Sequence, residues 1–483
     1  QLTSGTDHCT TITCPEGDCA DSSQEPVSGS RRKATVRIAL VNPPAPFPVF
    51  RDGYCSTSTK SGYLWHPLDL LVQSGILTGM GHQVALIDAI ASRLDAPKTL
   101  DRLAAFNPDA VLGLAGDVSW PGDVRFYRRL SWRLPAARLA LSGDVPRFEP
   151  ERAFGELPGL EAIVTDFATP GLSNFLTDDG PAEAITTRTG TTPAQSRTWS
   201  SPPARHDLLP RDAYRLPFHG GLPFASVLSS YGCPFSCTFC NTGELGFKTR
   251  PVAEVLAELR LVTRLGYRRV YLRDATANGK RLHFLELCDR WAAEDLNLAW
   301  NVFCTFQPFD PELATAMARA GCRVVQFGIE TGDDALRAES GKAFKNSAAE
   351  AAVRYAHEAG LQVCGHFVLG LPGQDEASLR RTAAFARDLD LDFASFNAAA
   401  ARPGTMLRRE ADERGLFGGD ASETGFAAGL ASVTPERLRA IKREAVARFY
   451  LRPRPIRAVF PDLRRREGWS HLASMAGALA RTW

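Results

Sequence analysis

From Ala34 onward, short apolar runs of β-forming residues alternate with segments of helical periodicity, and the alternation passes through the chain twice. The first passage reads ATVRIALVN, HPLDLLVQSGILTGMG, HQVALIDAI, PDAVLGLAG, VRFYRRLSWRL and ARLALSGD. Strands separated by helices pair in parallel, because a parallel neighbour needs a long crossover. The pattern predicts an α/β fold whose residues 33–175 form a doubly wound, Rossmann-like parallel sheet. The second passage runs FASVLSS, RRVYLRD, LAWNVFCTF, CRVVQFGIE, LQVCGHFVLG and LDFASFN, which gives six βα steps over residues 216–410. A connection rich in Thr, Ser and Pro spans residues 176–215. Residues 411–483 read as a mainly helical region containing PERLRAIKREAVARFYLRP, and residues 1–32 as a polar, disordered tail.

Ligands of doubly wound sheets sit at the carboxyl ends of the strands. Those ends carry Asn42-Pro43-Pro44, Asp88, Gly116-Asp117-Val118-Ser119 and Ser142-Gly143-Asp144. In the second passage the first strand runs into YGCPFSCTFC, with Cys233, Cys237 and Cys240. Three thiolates at this spacing can hold three irons of a [4Fe–4S] cube and leave the fourth iron open to substrate chemistry. A structural zinc site needs a fourth Cys or His. No Cys follows until Cys288, and His219 lies upstream beyond the strand. Cys9, Cys14 and Cys19, separated by four residues each, have no apolar strand beside them to fix ligand geometry, and a second metal site is their functional alternative. Cys288, Cys304, Cys322 and Cys364 lie on apolar helices or strands, where a free Cys is usually a small core residue.

The 483 residues are 44% hydrophobic, enough for two or three globular cores. A formal net charge of +2 without a basic stripe gives no sign of nucleic-acid binding. No apolar run approaches the ~20 residues that span a bilayer, and the first residues lack a basic-then-apolar signal pattern. The expectation is a cytoplasmic protein whose cysteines serve as cluster ligands and buried thiols.

The cysteine loop after a strand resembles that of the radical S-adenosylmethionine (SAM) superfamily. The resemblance implies a partial (β/α)6 barrel, with SAM chelated by the open iron and cleaved to a 5′-deoxyadenosyl radical. Motif by motif, it implies SAM contacts for five residues. Phe239, between the second and third cysteines, would pack near adenine or only shield the cluster. Asp274, in LRDATANGK, would meet the methionyl amine, although an Asp there also suits the cap of a helix from about Arg281. Glu330, ending VVQFGIE, would bind the ribose hydroxyls, with a structural salt bridge as the alternative. Gly370 and Gly373, in GHFVLGLPGQD, would let the backbone approach adenine, and Arg402-Pro403-Gly404-Thr405 fits the turn after the sixth strand.

The stretch from about Ala34 to Asp166 resembles the cobalamin-binding domain that precedes the barrel in cobalamin-dependent radical SAM enzymes. The Asp-x-His-x-x-Gly motif is absent, so cobalamin is expected without that lower ligand. Tyr63, Trp65 and His66 are candidates to approach the lower cobalt face, and Asp117, Ser119, Ser142 and Gly143 to line the cobalamin site. His66 could coordinate cobalt or be a surface or capping residue. Within the sheet only Cys55 is available, which argues against a methylthiotransferase with a second cluster. The resemblance implies a C-methyltransferase acting on an unactivated carbon of a small-molecule or peptidic substrate in biosynthesis. A flavodoxin- or ferredoxin-type protein would supply electrons. The alternatives are a cyclase or ring-rearranging enzyme with the same cofactors, and a non-catalytic cobalamin or iron–sulfur sensor.

Overall fold

Alternate residues of β1 (Arg37–Asn42) feed two different cores. Ile38 and Leu40 pack on one face of its sheet, Ala39 and Val41 on the other. A strand covered on both faces reads as a continuous apolar run, as RIALV does. The computed structural model describes residues 35–58, 63–194, 199–216, 222–416, 427, 429–463 and 469. The tail with Cys9, Cys14 and Cys19 lies outside them.

The amino-terminal half continues with a hairpin of β2 (Val49–Arg51) and β3 (Ser56–Ser58), then β4 (Gln83–Asp88), β5 (Ala110–Leu114), β6 (Arg138–Ser142), β7 (Leu160–Val164), β8 (Ile185–Thr187) and β9 (Gly190–Thr192). The sheet order is β4-β1-β5-β6-β7-β8-β9. The first five are parallel, and β8 and β9 add on antiparallel. The doubly wound sheet therefore stands as expected, with one correction. β8 and β9 fall inside the predicted connection 176–215, because Ile185 is buried against the sheet although its Thr-rich neighbours look like a loop.

The second half contains β10 (Ala225–Val227), β11 (Ser230–Gly232), β12 (Phe247–Thr249), β13 (Arg269–Leu272), β14 (Ala299–Cys304), β15 (Cys322–Glu330), β16 (Gln362–Leu369) and β17 (Phe393–Ala398). Six of these form a parallel sheet in the order β10-β13-β14-β15-β16-β17, the sequential arrangement of a partial (β/α)6 barrel. The run FASVLSS, read as one strand, is broken after Val227, and its second piece pairs antiparallel with β12. Helices over Val252–Arg264, Arg281–Ala293, Pro311–Arg319, Asn346–Glu358 and Glu376–Asp388 alternate with the strands, and their buried faces join the barrel core. Trp291 stacks on Trp300 with centroids 4.9 Å apart, and Cys288, Cys304, Cys322 and Cys364 are buried, as expected. The helix Pro435–Tyr450 is capped by the Thr434 hydroxyl. It buries Leu438, Ile441, Ala445 and Phe449, spaced three or four residues apart on one face. Among the described residues no helix is long and apolar enough to cross a membrane.

From Thr35 the chain forms one compact unit in which the two sheets share a core. Trp65 packs on Phe224 and Tyr271, and the Arg273 guanidinium lies 4.5 Å over the Trp65 ring and 3.5 Å from Asp52.

Candidate active site

Gly232, the last residue of β11, has φ +77°, and a Cβ there would lie 1.5 Å from the Gly246 carbonyl oxygen. Only glycine fits, and the next residue, Cys233, donates its N–H to that same oxygen at 3.1 Å. The loop that follows is tied down on two further sides. Thr238 N–H donates to Ser340 O, Leu407 N–H donates to Thr238 O, and Asn241 Nδ2 donates to Pro403 O at 2.9 Å. The three cysteines are free thiols, Cys233 and Cys237 half-buried and Cys240 exposed. Burial pushes the Cys237 thiol up to about 12, the nearby Lys342 opposes this, and the Cys240 and Cys233 sulfurs raise it further. The sulfurs thus lie within electrostatic reach of one another. Among the described residues no three His, Cys, Asp or Glu side chains are already drawn into metal-ligand geometry. The fit to a cluster rests on the donor set: three soft thiols on one anchored loop, without a local fourth ligand.

Asp274 braces this loop. Its Oδ1 accepts from Ser229 N–H at 2.8 Å, and its Oδ2 accepts from the hydroxyls of Ser229 and of Ser230, the latter at 2.8 Å. These bonds turn the chain out of the barrel sheet just before the cysteines. The helix at Arg281 is preceded by a 3-10 turn, and its N-cap is Lys280, so Asp274 does not cap it. Phe239 packs against the barrel core. Gly370 and Gly373 carry φ of +91° and +78° in a turn whose N–H groups at Gly370 and Leu371 donate to Gln374 Oε1.

Glu330 ends β15 with φ +65°. Its Oε1 lies 2.6 Å from Lys342 Nζ. The salt bridge named as an alternative is present, and among the described residues no protein group hydrogen-bonds to Oε2. Sequence reasoning gave Lys342 no role. Asn241 was also missed, since nothing local marks a partner 162 residues away.

Inside the barrel a hydrogen-bonded line crosses four strands. Gln326 Nε2 donates to the Tyr271 hydroxyl at 3.2 Å, Gln326 Oε1 lies 3.0 Å from His366 Nε2, and His366 Nδ1 lies 2.8 Å from Ser395 Oγ. Asn397, exposed, donates to Ser395 at 3.1 Å. Burial and Lys342 hold His366 down to about 4, so it is neutral. Gln326 Oε1 then accepts from Nε2–H, and Nδ1 accepts from the serine hydroxyl.

Asp117, Ser119, Ser142 and Gly143 stand at the ends of β5 and β6, but their groups are engaged within the protein. Ser119 Oγ accepts from Arg51 Nε and donates to Asp123. Ser142 donates to Asp69, and Asp117 N–H donates to Asp144. A Cβ on Gly143 would lie 1.8 Å from Ala115 O. The β2–β3 hairpin covers this edge, with Ser56 donating to Asp144 at 2.7 Å. His66 is neither a surface nor a capping residue. It is buried, stacked on Tyr214 at 3.9 Å, with Nδ1 3.0 Å from Ser226 Oγ. Tyr63 and Trp65 pack in the same core. Space for a large ligand lies in a cavity of ≈ 710 Å³ at the ends of β1 and β4, lined by Pro44–Pro48, Leu64, Ala89, Ile90, Arg93–Ala96, Gly122, Arg125, Phe126 and Arg129. It adjoins the point where the strand order reverses. Arg93, Arg125 and Arg129 give its wall the charge that suits a phosphate-bearing group such as cobalamin.

A three-thiol loop at the carboxyl end of the first barrel strand defines a cluster-bearing enzyme of the partial-barrel class. Residues 227–386 match the Radical SAM superfamily, so the chain carries a radical SAM domain and is a radical SAM enzyme. Over 395 residues it is 26% identical to an uncharacterized methyltransferase of Pyrococcus horikoshii, covering 77% of this chain and 85% of that protein. TsrM, a radical SAM methyltransferase from Kitasatospora setae solved with cobalamin and a [4Fe–4S] cluster bound, matches with a TM-score of 0.62 at 19% identity, over 80% of this chain and 76% of that one. OxsB, a cobalamin-dependent SAM radical enzyme solved with aqua-cobalamin and SAM bound, matches at 0.58 and 15% identity, over 84% and 56%. These likenesses establish the shared fold, in which a doubly wound sheet precedes the radical SAM barrel.

Proposed function

We propose that the protein is a cobalamin-dependent radical SAM C-methyltransferase, acting in biosynthesis on an unactivated carbon of a small-molecule or peptidic substrate, in the cytoplasm. The observation that carries this reading is the packing of an anchored three-thiol loop and a doubly wound sheet with a large strand-end cavity into one unit. The methyltransferase relative covering most of the chain supports it. When bound, the cluster supplies one-electron cleavage of SAM and cobalamin supplies methyl carriage.

The chain's own residues bind and orient. Cys233, Cys237 and Cys240 hold the cluster, and Asp274 and Asn241 keep their loop in place. Glu330 presents Oε2 to the ribose diol. Substrate entering the barrel meets Phe303, His366, Ser395 and Asn397, an aromatic wall beside fixed donors and acceptors. Holding reactants in one cavity is the main service such a scaffold adds. A low-potential flavodoxin- or ferredoxin-type donor would deliver the electrons.

Methyl-labelled SAM tests the reading. Methylation at an unactivated carbon should place the label in the product and yield one S-adenosylhomocysteine and one 5′-deoxyadenosine per turnover. A stretch of 186 residues 26% identical to an anaerobic magnesium-protoporphyrin IX monomethyl ester cyclase of Cereibacter sphaeroides supports a second reading, rearrangement or cyclisation. A product of unchanged carbon count, formed with 5′-deoxyadenosine and no S-adenosylhomocysteine, would select it. Absence of SAM cleavage with every reductant and candidate substrate would favour the sensor.

A further inference from the structure

Lys342 lies between Glu330 and the cysteine loop. Its side chain is 18% exposed and that of its partner Glu330 8%. The residue before Lys342, Gly341, lies against the cysteine loop, where a Cβ would come within 3.3 Å of the Cys237 Cα. The backbone on both sides is bent to make this arrangement. Glu330 occupies the left-handed region, a strained conformation for a residue with a side chain, and the register of β15 against β16 shifts there. A Cβ on Gly328 would fall 2.4 Å from both Glu330 Oε1 and Lys342 Nζ. Gly341 has φ +80°, and a Cβ there would lie 2.6 Å from Ser236 O, which pins the base of Lys342 to the cysteine loop. A salt bridge serving stability alone needs neither the strain nor the approach to the thiols.

We propose that Lys342 is a positioning residue with two effects: it fixes Glu330 so that Oε2 remains for the ribose diol, and its charge beside the cysteine thiolates favours the reduced cluster. This rests on the cluster and SAM reading above. Reduction by a low-potential one-electron donor adds a negative charge to a cluster whose thiolates already outweigh its core charge. A fixed cation therefore stabilises the reduced form more than the oxidised one. No bond forms or breaks in that step.

The test uses anaerobically reconstituted full-length protein with dithionite as reductant. Iron content, the midpoint potential followed by electron paramagnetic resonance, and equilibrium SAM binding are measured for wild type, Lys342→Gln, Lys342→Arg and Gly328→Ala. Lys342→Gln should keep its iron, while its reduction equilibrium shifts on the order of tenfold toward the oxidised form, ~59 mV more negative. Its SAM affinity should fall roughly tenfold, the effect of losing one charge-assisted hydrogen bond. Lys342→Arg, which keeps the charge, should stay near wild type in potential, and Gly328→Ala, which pushes the pair apart, should fall between. A Lys342→Gln protein with wild-type potential and SAM affinity would overturn the proposal. If that variant loses its iron, a wild-type potential in Gly328→Ala does the same. Wild-type protein that takes up no cluster defeats the cluster reading instead.

Discussion

Asn241 Nδ2 donates to the Pro403 carbonyl oxygen at 2.9 Å, joining the end of the cysteine loop to the turn that follows the last barrel strand. Asn241 is 2% exposed. Asn241→Leu leaves a buried carbonyl without its donor, at about 1–3 kcal/mol. Thermal unfolding should fall accordingly, and the variant should retain less iron after reconstitution than wild type. Unchanged iron loading would show that the loop does not depend on this tie.

Asp274 satisfies one backbone N–H and two hydroxyls at the entry to the same loop. Removing it as Asp274→Ala strands those donors in a buried site, each at about 1–3 kcal/mol. Both stability and iron content should drop. A variant that keeps wild-type stability and iron but binds SAM weakly would return Asp274 to the role of an amine contact.

Arg51 and Asp123 form an ion pair at 2.7 Å with side chains 0% and 1% exposed, between the hairpin and the helix after β5. Breaking one side of such a pair costs about 3–5 kcal/mol, whereas replacing both with apolar groups can be nearly neutral. Arg51→Met should therefore be strongly destabilising to urea, and Arg51→Met combined with Asp123→Leu should recover most of the loss. Equal destabilisation by the single and double variants would contradict this.

Burial, with Asp69 nearby, pushes Asp52 up to about 8 against the pull of Arg273. A folded value above the unfolded 3.8 means that folding takes up a proton. The stabilisation is full below the unfolded value and is lost as pH rises through about 8. The urea midpoint of wild type should decline over that window, and Asp52→Asn should flatten the decline. A variant with the same slope as wild type would remove Asp52 as its source.

The architecture was legible because each strand and helix announces itself within about ten residues. RIALV, VYL and VVQFGIE are runs whose burial needs no distant information. The cysteine spacing was legible for the same reason. What the sequence hid depends on partners far along the chain. FASVLSS looks like one strand until Asp274, 45 residues from Ser229, takes its N–H. His66 looks like a helix-start residue until Tyr214 and Ser226 enclose it. Ser119 and Ser142 carry free hydroxyls on paper, and a hairpin of ordinary composition brings Arg51 to the first, while Asp69 of the following helix meets the second. Lys342 was in plain view, but only the fold sets it against Glu330 and the thiols.

The most direct measurement is iron content together with 5′-deoxyadenosine formation, in anaerobic dithionite-reduced wild type and in the triple variant Cys233→Ala, Cys237→Ala, Cys240→Ala. One [4Fe–4S] centre predicts about four irons per wild-type chain and reductive SAM cleavage, with both lost in the variant. Four irons retained by the triple variant, or a cluster-loaded wild type that never cleaves SAM, would contradict the account.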